Sequence, residues 1–288
     1  MGELILGYHI NKGSFKTYAQ ACEHARDVVR KYMPQPAVSP CAAIFSSGPR
    51  NVRANLTTGK PEMEALAEFA NRARDMYFLM HASYLDLLWT SGAPSLACTA
   101  RVAKASRTIG TIQNARLVVH STREFFASRE TTEQVYVRIA ETLGAGVHAP
   151  ILMETMSHLR EFASTRAINR ALDDMREIIP CAGICIDTAH IWAAGADIAT
   201  RASCADWLDG ITRSVPVAMH LNDSTQPIGT GRDIHATLGA GEIWALEDGY
   251  MSAIEWARSR GAYVILERTH DQEVEAIKDL KMLSRKLN

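Results

Sequence analysis

Eight short apolar runs, each separated from the next by an amphipathic stretch, constrain this chain more than any other feature of its sequence. They are Leu4-Ile5-Leu6, Ala42-Ala43-Ile44-Phe45, Tyr77-Phe78-Leu79-Met80, Leu117-Val118-Val119, Ile151-Leu152-Met153, Ile184-Cys185-Ile186, Val217-Ala218-Met219 and Val264-Ile265-Leu266. A strand that is apolar without alternation is covered on both faces, the situation of a parallel sheet flanked by helices. Helical patterns fill the intervals. Val135, Ile139 and Leu143 recur every four residues ahead of Gly144 and Gly146, and Val274, Ile277, Leu280 and Leu283 form a stripe near the C-terminus. Strand–helix alternation repeated eight times, with no Pro/Ser-rich linker, predicts a closed (β/α)8 TIM barrel occupying residues 1–288 as one domain, with an open doubly wound sheet as the alternative.

Composition narrows the class. At 47% hydrophobic and 22% charged residues the chain is globular rather than disordered or fibrous. No apolar run approaches the roughly 18 residues of a membrane span, and Glu3 stands where a secretory signal carries Lys or Arg. A soluble intracellular chain with no membrane partner is expected. The six cysteines form no CxxC pair and read as reduced thiols. Lys+Arg 31 against Asp+Glu 32 supplies no bulk electrostatic argument for nucleic acid.

The chemistry lies at the strand ends. Six consecutive runs end on a metal-ligand type: His81, His120, Glu154, Asp187, His220 and Glu267. A barrel points the carboxyl ends of its strands at one rim, so these residues converge on a single mouth. Asp187-Thr188-Ala189-His190 and Asp233-Ile234-His235 add ligands from the following loops. A single His or acid at a strand end is ordinarily a capping or solvated group. Six in series would be an array of poorly paired polar groups unless a cation neutralised the acids. Imidazole and carboxylate without thiolate suit zinc, manganese or iron, and zinc is favoured. Nine candidates exceed what one zinc binds, so two or three ions and a bridging carboxylate are implied, a grouping that suits phosphoester hydrolysis.

These residues carry a recognisable pattern. The chain resembles the endonuclease IV family of apurinic/apyrimidinic (AP) endonucleases through Cys185-Ile186-Asp187-Thr188-Ala189-His190, His220-Leu221-Asn222-Asp223-Ser224, Asp233-Ile234-His235 and Leu238-Gly239-Ala240-Gly241-Glu242-Ile243. His81-Ala82-Ser83-Tyr84-Leu85, Gly7-Tyr8-His9-Ile10 and Leu266-Glu267 agree as well. The resemblance implies three zinc ions per chain, with Mn2+ or Fe2+ admitted at some positions. His81, His120 and Glu154 would hold the first. Glu154 would bridge to a second held by Asp187, His220 and Glu267, and His190, Asp233 and His235 would hold a third. It further implies a monomeric enzyme of base excision repair that cuts double-stranded DNA 5′ to abasic sites, leaving a 3′-hydroxyl, and clears blocked 3′ ends. Glu154 would be the catalytic residue, and Tyr84, Leu85, Arg50 and Arg53 would contact DNA.

Three segments depart from the family. Ser121-Thr122-Arg123 replaces a Pro-Gly turn, Thr155-Met156-Ser157 replaces an Asn-Thr-Ala-Gly type segment, and Asp86-Leu87 replaces Ile-Asn, setting an acid beside the expected phosphate track. The competing reading is a divalent-metal sugar isomerase or epimerase on the same barrel, which needs fewer ligands and leaves His190, Asp233 and His235 without work. His9 is left unassigned, since His9-Ile10-Asn11 lacks the His-x-His of an amidohydrolase.

Overall fold

The structure, a computed structural model, describes residues 2–48, 51–55, 59–87, 93–127, 129–146, 148–268 and 272–287. Its strands are β1 (Leu4–His9), β2 (Val38–Phe45), β3 (Ser47–Gly48), β4 (Asn51–Asn55), β5 (Tyr77–His81), β6 (Ala115–His120), β7 (Ile151–Glu154), β8 (Ala182–Asp187), β9 (Val217–His220), β10 (Asp223–Ser224), β11 (His235–Ala236) and β12 (Tyr263–Leu266). Each apolar run is one of the eight strands that close into a parallel barrel, ordered β1, β2, β5, β6, β7, β8, β9, β12 and back to β1. The open-sheet alternative is thereby set aside. The helices are α1 (Tyr18–Tyr32), α2 (Lys60–Arg72), α3 (Ala93–Ile109), α4 (Arg129–Leu143), α5 (Thr165–Arg176), α6 (Thr188–Ala194), α7 (Arg201–Asp209), α8 (Tyr250–Arg260) and α9 (Gln272–Leu287).

Side chains alternate across a strand, and here both faces are apolar for different reasons. One face, including Leu6, Ile44, Phe78, Leu117, Met153 and Val264, packs outward into the main core with the helices. The other points inward, where Ile5, Cys41, Leu79, Val118, Leu152 and Cys185 fill the barrel. Leu152 is fully buried there, and truncation to Ala would cost on the order of 2–5 kcal/mol. Two residues beyond Leu79, Val118, Leu152, Cys185, Ala218 and Ile265 the inward positions become His81, His120, Glu154, Asp187, His220 and Glu267, so the polar layer rests directly on an apolar floor. Register sets two pairs level, His120 with Glu154 across β6 and β7 and Asp187 with His220 across β8 and β9, while His81 pairs with Val118 and Glu154 with Cys185, one inward step short of the next ligand.

The α4 stripe is buried as expected, and Gly144 stops the helix with a φ of 65° that favours glycine. The α9 stripe differs at its start. Val274 is exposed and Ala276 takes the buried position beside Leu280 and Leu283, while Glu273 in the first turn reaches Tyr8 and His24 instead. Two short antiparallel pairs, β3–β4 and β10–β11, lie outside the barrel in the connections that follow β2 and β9. Among the described residues no helix is long and apolar enough to cross a membrane.

Candidate metal centre

All nine ligand-type residues come together at the mouth, in overlapping groups. Glu154 Oε2 lies 3.0 Å from both His81 Nε2 and His120 Nε2. Its other oxygen, Oε1, lies 2.8 Å from His220 Nδ1, which is in turn 3.0 Å from Glu267 Oε2 and 3.7 Å from Asp187 Oδ2. Beyond Asp187, His235 Nε2 is 3.5 Å from Asp187 Oδ2 and 2.8 Å from Asp233 Oδ1, and His190 Nε2 is 3.1 Å from Asp233 Oδ2. Candidate metal sites therefore form at His81, His120 and Glu154, at Glu154, Asp187, His220 and Glu267, and at Asp187, His190 and His235. Glu154 belongs to the first two, and Asp233 lies against His190 and His235 of the third.

The chain fits a bound cation because of how these imidazoles are oriented. His81 Nδ1 lies 2.7 Å from the Ala82 carbonyl and His190 Nδ1 lies 2.6 Å from the Thr155 carbonyl. A nitrogen facing a carbonyl oxygen carries the proton, so Nε2 of each neutral ring presents a lone pair. Those lone pairs face carboxylate oxygens, an arrangement that repels unless a proton or cation lies between them. His220 makes the same point: it is fully buried, and its close contacts to Glu154 and Glu267 lack hydrogen-bond geometry.

Without a cation the charges lean on one another. Burial alone would push Glu154 up, but His220, His120 and His81 hold it well below the usual carboxylate range. Burial would lower His220, but Cys185, Glu267 and Glu154 carry it well above its ordinary value. His190 is raised in the same way, against burial, by Asp187 and Asp233. Asp233 and Glu267 are depressed by the imidazoles against the upward push of burial.

Local structure explains how the motif residues are placed. Asp187 caps α6, accepting from His190 N–H at 3.0 Å, which seats His190 one turn beyond it. The Thr188 hydroxyl accepts from Asn222 N–H at 2.8 Å and donates to the Asn222 carbonyl at 2.6 Å, tying α6 to the end of β9. Asp223 accepts four backbone N–H groups, from Ser224, Gly239, Gly241 and Ile243, at 2.8–3.1 Å. That cradle curls the loop carrying Asp233 and His235 back over the mouth, and a Cβ on Gly241 would collide with Asp223 and the Ser224 carbonyl.

The divergent segments are built into the site. Ser121 Oγ donates to the Glu154 carbonyl at 2.6 Å, and Thr155 Oγ1 accepts from Asp187 N–H at 2.9 Å. Asp86 turns inward to Arg101, 2.5 Å away, so its charge is paired rather than presented to a phosphate track.

Of the residues expected to read DNA, Tyr84 stacks on the His120 ring at 4.6 Å between centroids and meets Phe45 and His81 edge-on. Leu85 is 51% exposed at the rim. Arg53 lies on β4, and Arg50 lies outside the described residues. Sequence reasoning missed His9. It occupies the same inward layer on β1, is buried, and neither ring nitrogen has a hydrogen-bond partner among the described residues. Burial pushes its pKa down to about 4. Strand alternation from Ile5 is the signal that could have placed it.

A cavity of about 430 Å³, lined by His81, His120, Glu154, His190, Asp233 and Glu267 among others, opens above these groups. Fold and site together define a (β/α)8 barrel whose mouth can hold a cluster of divalent cations. Residues 43–286 match the family described as xylose isomerase-like TIM barrel, and the chain belongs to it. Its relatives bear out the resemblance to endonuclease IV. A probable endonuclease 4 of Moorella thermoacetica is 28% identical over 214 residues, covering 69% of this chain and 74% of the relative. That of Halobacterium salinarum is 27% identical over 266 residues, covering 84% and 90%. Among solved structures, AsfvAP:AG superposes over 100% of both chains with a TM-score of 0.84 at 20% identity. Endonuclease IV from Thermus thermophilus gives 0.74 at 21% identity, over 99% of this chain and 100% of that one. A D-tagatose 3-epimerase-like protein gives 0.64 at 17% identity, over 99% and 97%. At these identities the structures share the fold.

Proposed function

We propose that this chain is a zinc-dependent AP endonuclease that hydrolyses the phosphodiester 5′ to an abasic site in duplex DNA, leaves a 3′-hydroxyl, and clears blocked 3′ ends. The observation that carries the reading is the sharing of Glu154 between two ligand groups, with a third group beside them. Zinc at these positions would lower the pKa of water and neutralise phosphate charge. The side chains supply the rest. His81, His120 and Glu154 hold one position, Asp187, His220 and Glu267 with Glu154 the second, and His190, Asp233 and His235 the third. Glu154 orients the attacking water from the floor of the cavity. Tyr84 roofs the first position, and Leu85 on the rim enters the duplex at the lesion and keeps the abasic sugar out of the stack. Arg50 and Arg53 would support the bent backbone through phosphate contacts.

The test is cleavage of an end-labelled duplex carrying one abasic analogue. A nick on the 5′ side ending in 3′-hydroxyl, lost with chelator and restored by zinc, is expected. A β-elimination product, or a cut that chelator does not affect, would overturn the reading. The epimerase-like barrel favours one rival, a sugar isomerase. Two or fewer ions per chain, with ketose–aldose exchange in place of cleavage, would support it.

A further inference from the structure

A buried polar relay runs from the C-terminal helix to the metal centre through a residue that none of the motifs contains. Arg268 follows Glu267 and is 1% exposed, and its guanidinium pairs with Asp279 on α9 through Nε, 3.0 Å from Asp279 Oδ2, and through Nη2. The third nitrogen, Nη1, donates to Asn222 Oδ1 at 2.6 Å and to the Glu267 carbonyl at 2.8 Å. Asn222 Oδ1 also accepts from Glu267 N–H at 3.1 Å. With two donors on that oxygen the amide can face only one way. Its Nδ2 then donates to Asp187 Oδ2 at 2.8 Å and sits 3.5 Å from His235 Nε2.

We infer that Arg268 is a positioning residue: anchored by Asp279, it locks the Asn222 amide so that Asp187, Glu267 and His235 keep the spacing that the second and third cation positions need. The inference rests on the metal-centre reading above and extends it to residues that touch neither substrate nor cation. It needs an arginine, because only a guanidinium fork spans Asp279 on one edge and Asn222 with the Glu267 carbonyl on the other. The first group, His81, His120 and Glu154, lies outside the relay and should be indifferent to it.

Removing Arg268 alone would leave Asp279 buried and unpaired and could unfold the chain. The informative variant is Arg268→Met combined with Asp279→Asn, in which the new amide oxygen can still accept from Leu238 N–H, now 3.0 Å from Asp279 Oδ1. Zinc affinity is read by titration against a graded series of chelators, and geometry by the visible spectrum of the cobalt-substituted protein. Orienting partners of metal ligands typically contribute about 10–100-fold to affinity. The double variant should lose about that factor at two positions, keep the position on His81 and His120, and show an altered cobalt spectrum. Arg268→Lys, which keeps one donor for Asn222, should recover part of both. A folded double variant with wild-type zinc affinities and an unchanged spectrum would overturn the inference while leaving the metal centre standing. A wild-type chain that takes up no zinc would overturn both.

Discussion

Glu154→Gln keeps the volume of a side chain that is 1% exposed and removes its charge. In the structure that charge faces His81 and His120 through Oε2 and His220 through Oε1, at 2.8–3.0 Å. It is therefore shared by two of the proposed cation positions. A unit charge about 4 Å from another is worth about 4 kcal/mol at an effective dielectric near 20, and a divalent partner would make it larger. About 4 kcal/mol in the transition state is about a thousandfold in rate. The variant should accordingly cut the abasic duplex at least about a thousandfold more slowly in single-turnover assays, with wild-type circular dichroism and fewer bound zinc ions by native mass spectrometry. Wild-type turnover with an undiminished ion count would refute the bridging role, and with it the mechanism.

Other outcomes follow from the same geometry. Neighbouring acidic groups raise His220, His190 and His235 against burial, so the stability they contribute is full below the ordinary imidazole value of 6.5 and fades as pH climbs through their raised values. Melts of chelated protein should fall from about pH 6.5 upward, and zinc should reverse the trend; a flat profile contradicts this. Asp223→Ala strands buried N–H groups at about 1–3 kcal/mol each and frees the loop, so the melting temperature should drop and the ion on His190, Asp233 and His235 should be lost first; an unchanged ion count contradicts the cradle. Leu85→Ala should weaken binding to an abasic duplex by about tenfold, from roughly 1.5 kcal/mol of lost burial, with metal content unaltered; equal affinity in a gel-shift titration would remove Leu85 from the DNA surface.

The barrel and its polar ring are legible in the sequence because both follow from one period. Inward residues recur every second position, so the apolar runs and the ligand that ends each run are parts of the same alternation. His9 obeys that rule too, and looking for a His-x-His pair on β1 does not reveal it. What is not legible depends on contacts between distant segments. Nothing local to Asp223 announces four N–H donors arriving from residues 224–243, and nothing local to Asp86 announces Arg101. The pairs β3–β4 and β10–β11 are too short to show alternation. Arg268 reads as an ordinary charge until α9 supplies Asp279.

Residues from six strands and their loops are proposed to hold three cations in one opening. Anomalous diffraction at the zinc edge from crystals grown with zinc tests this directly. Three peaks are predicted: one between His81, His120 and Glu154, one between Glu154, Asp187, His220 and Glu267, and one beside His190, Asp233 and His235. A mouth with no peak, or with one ion that Glu154 does not touch, would contradict it.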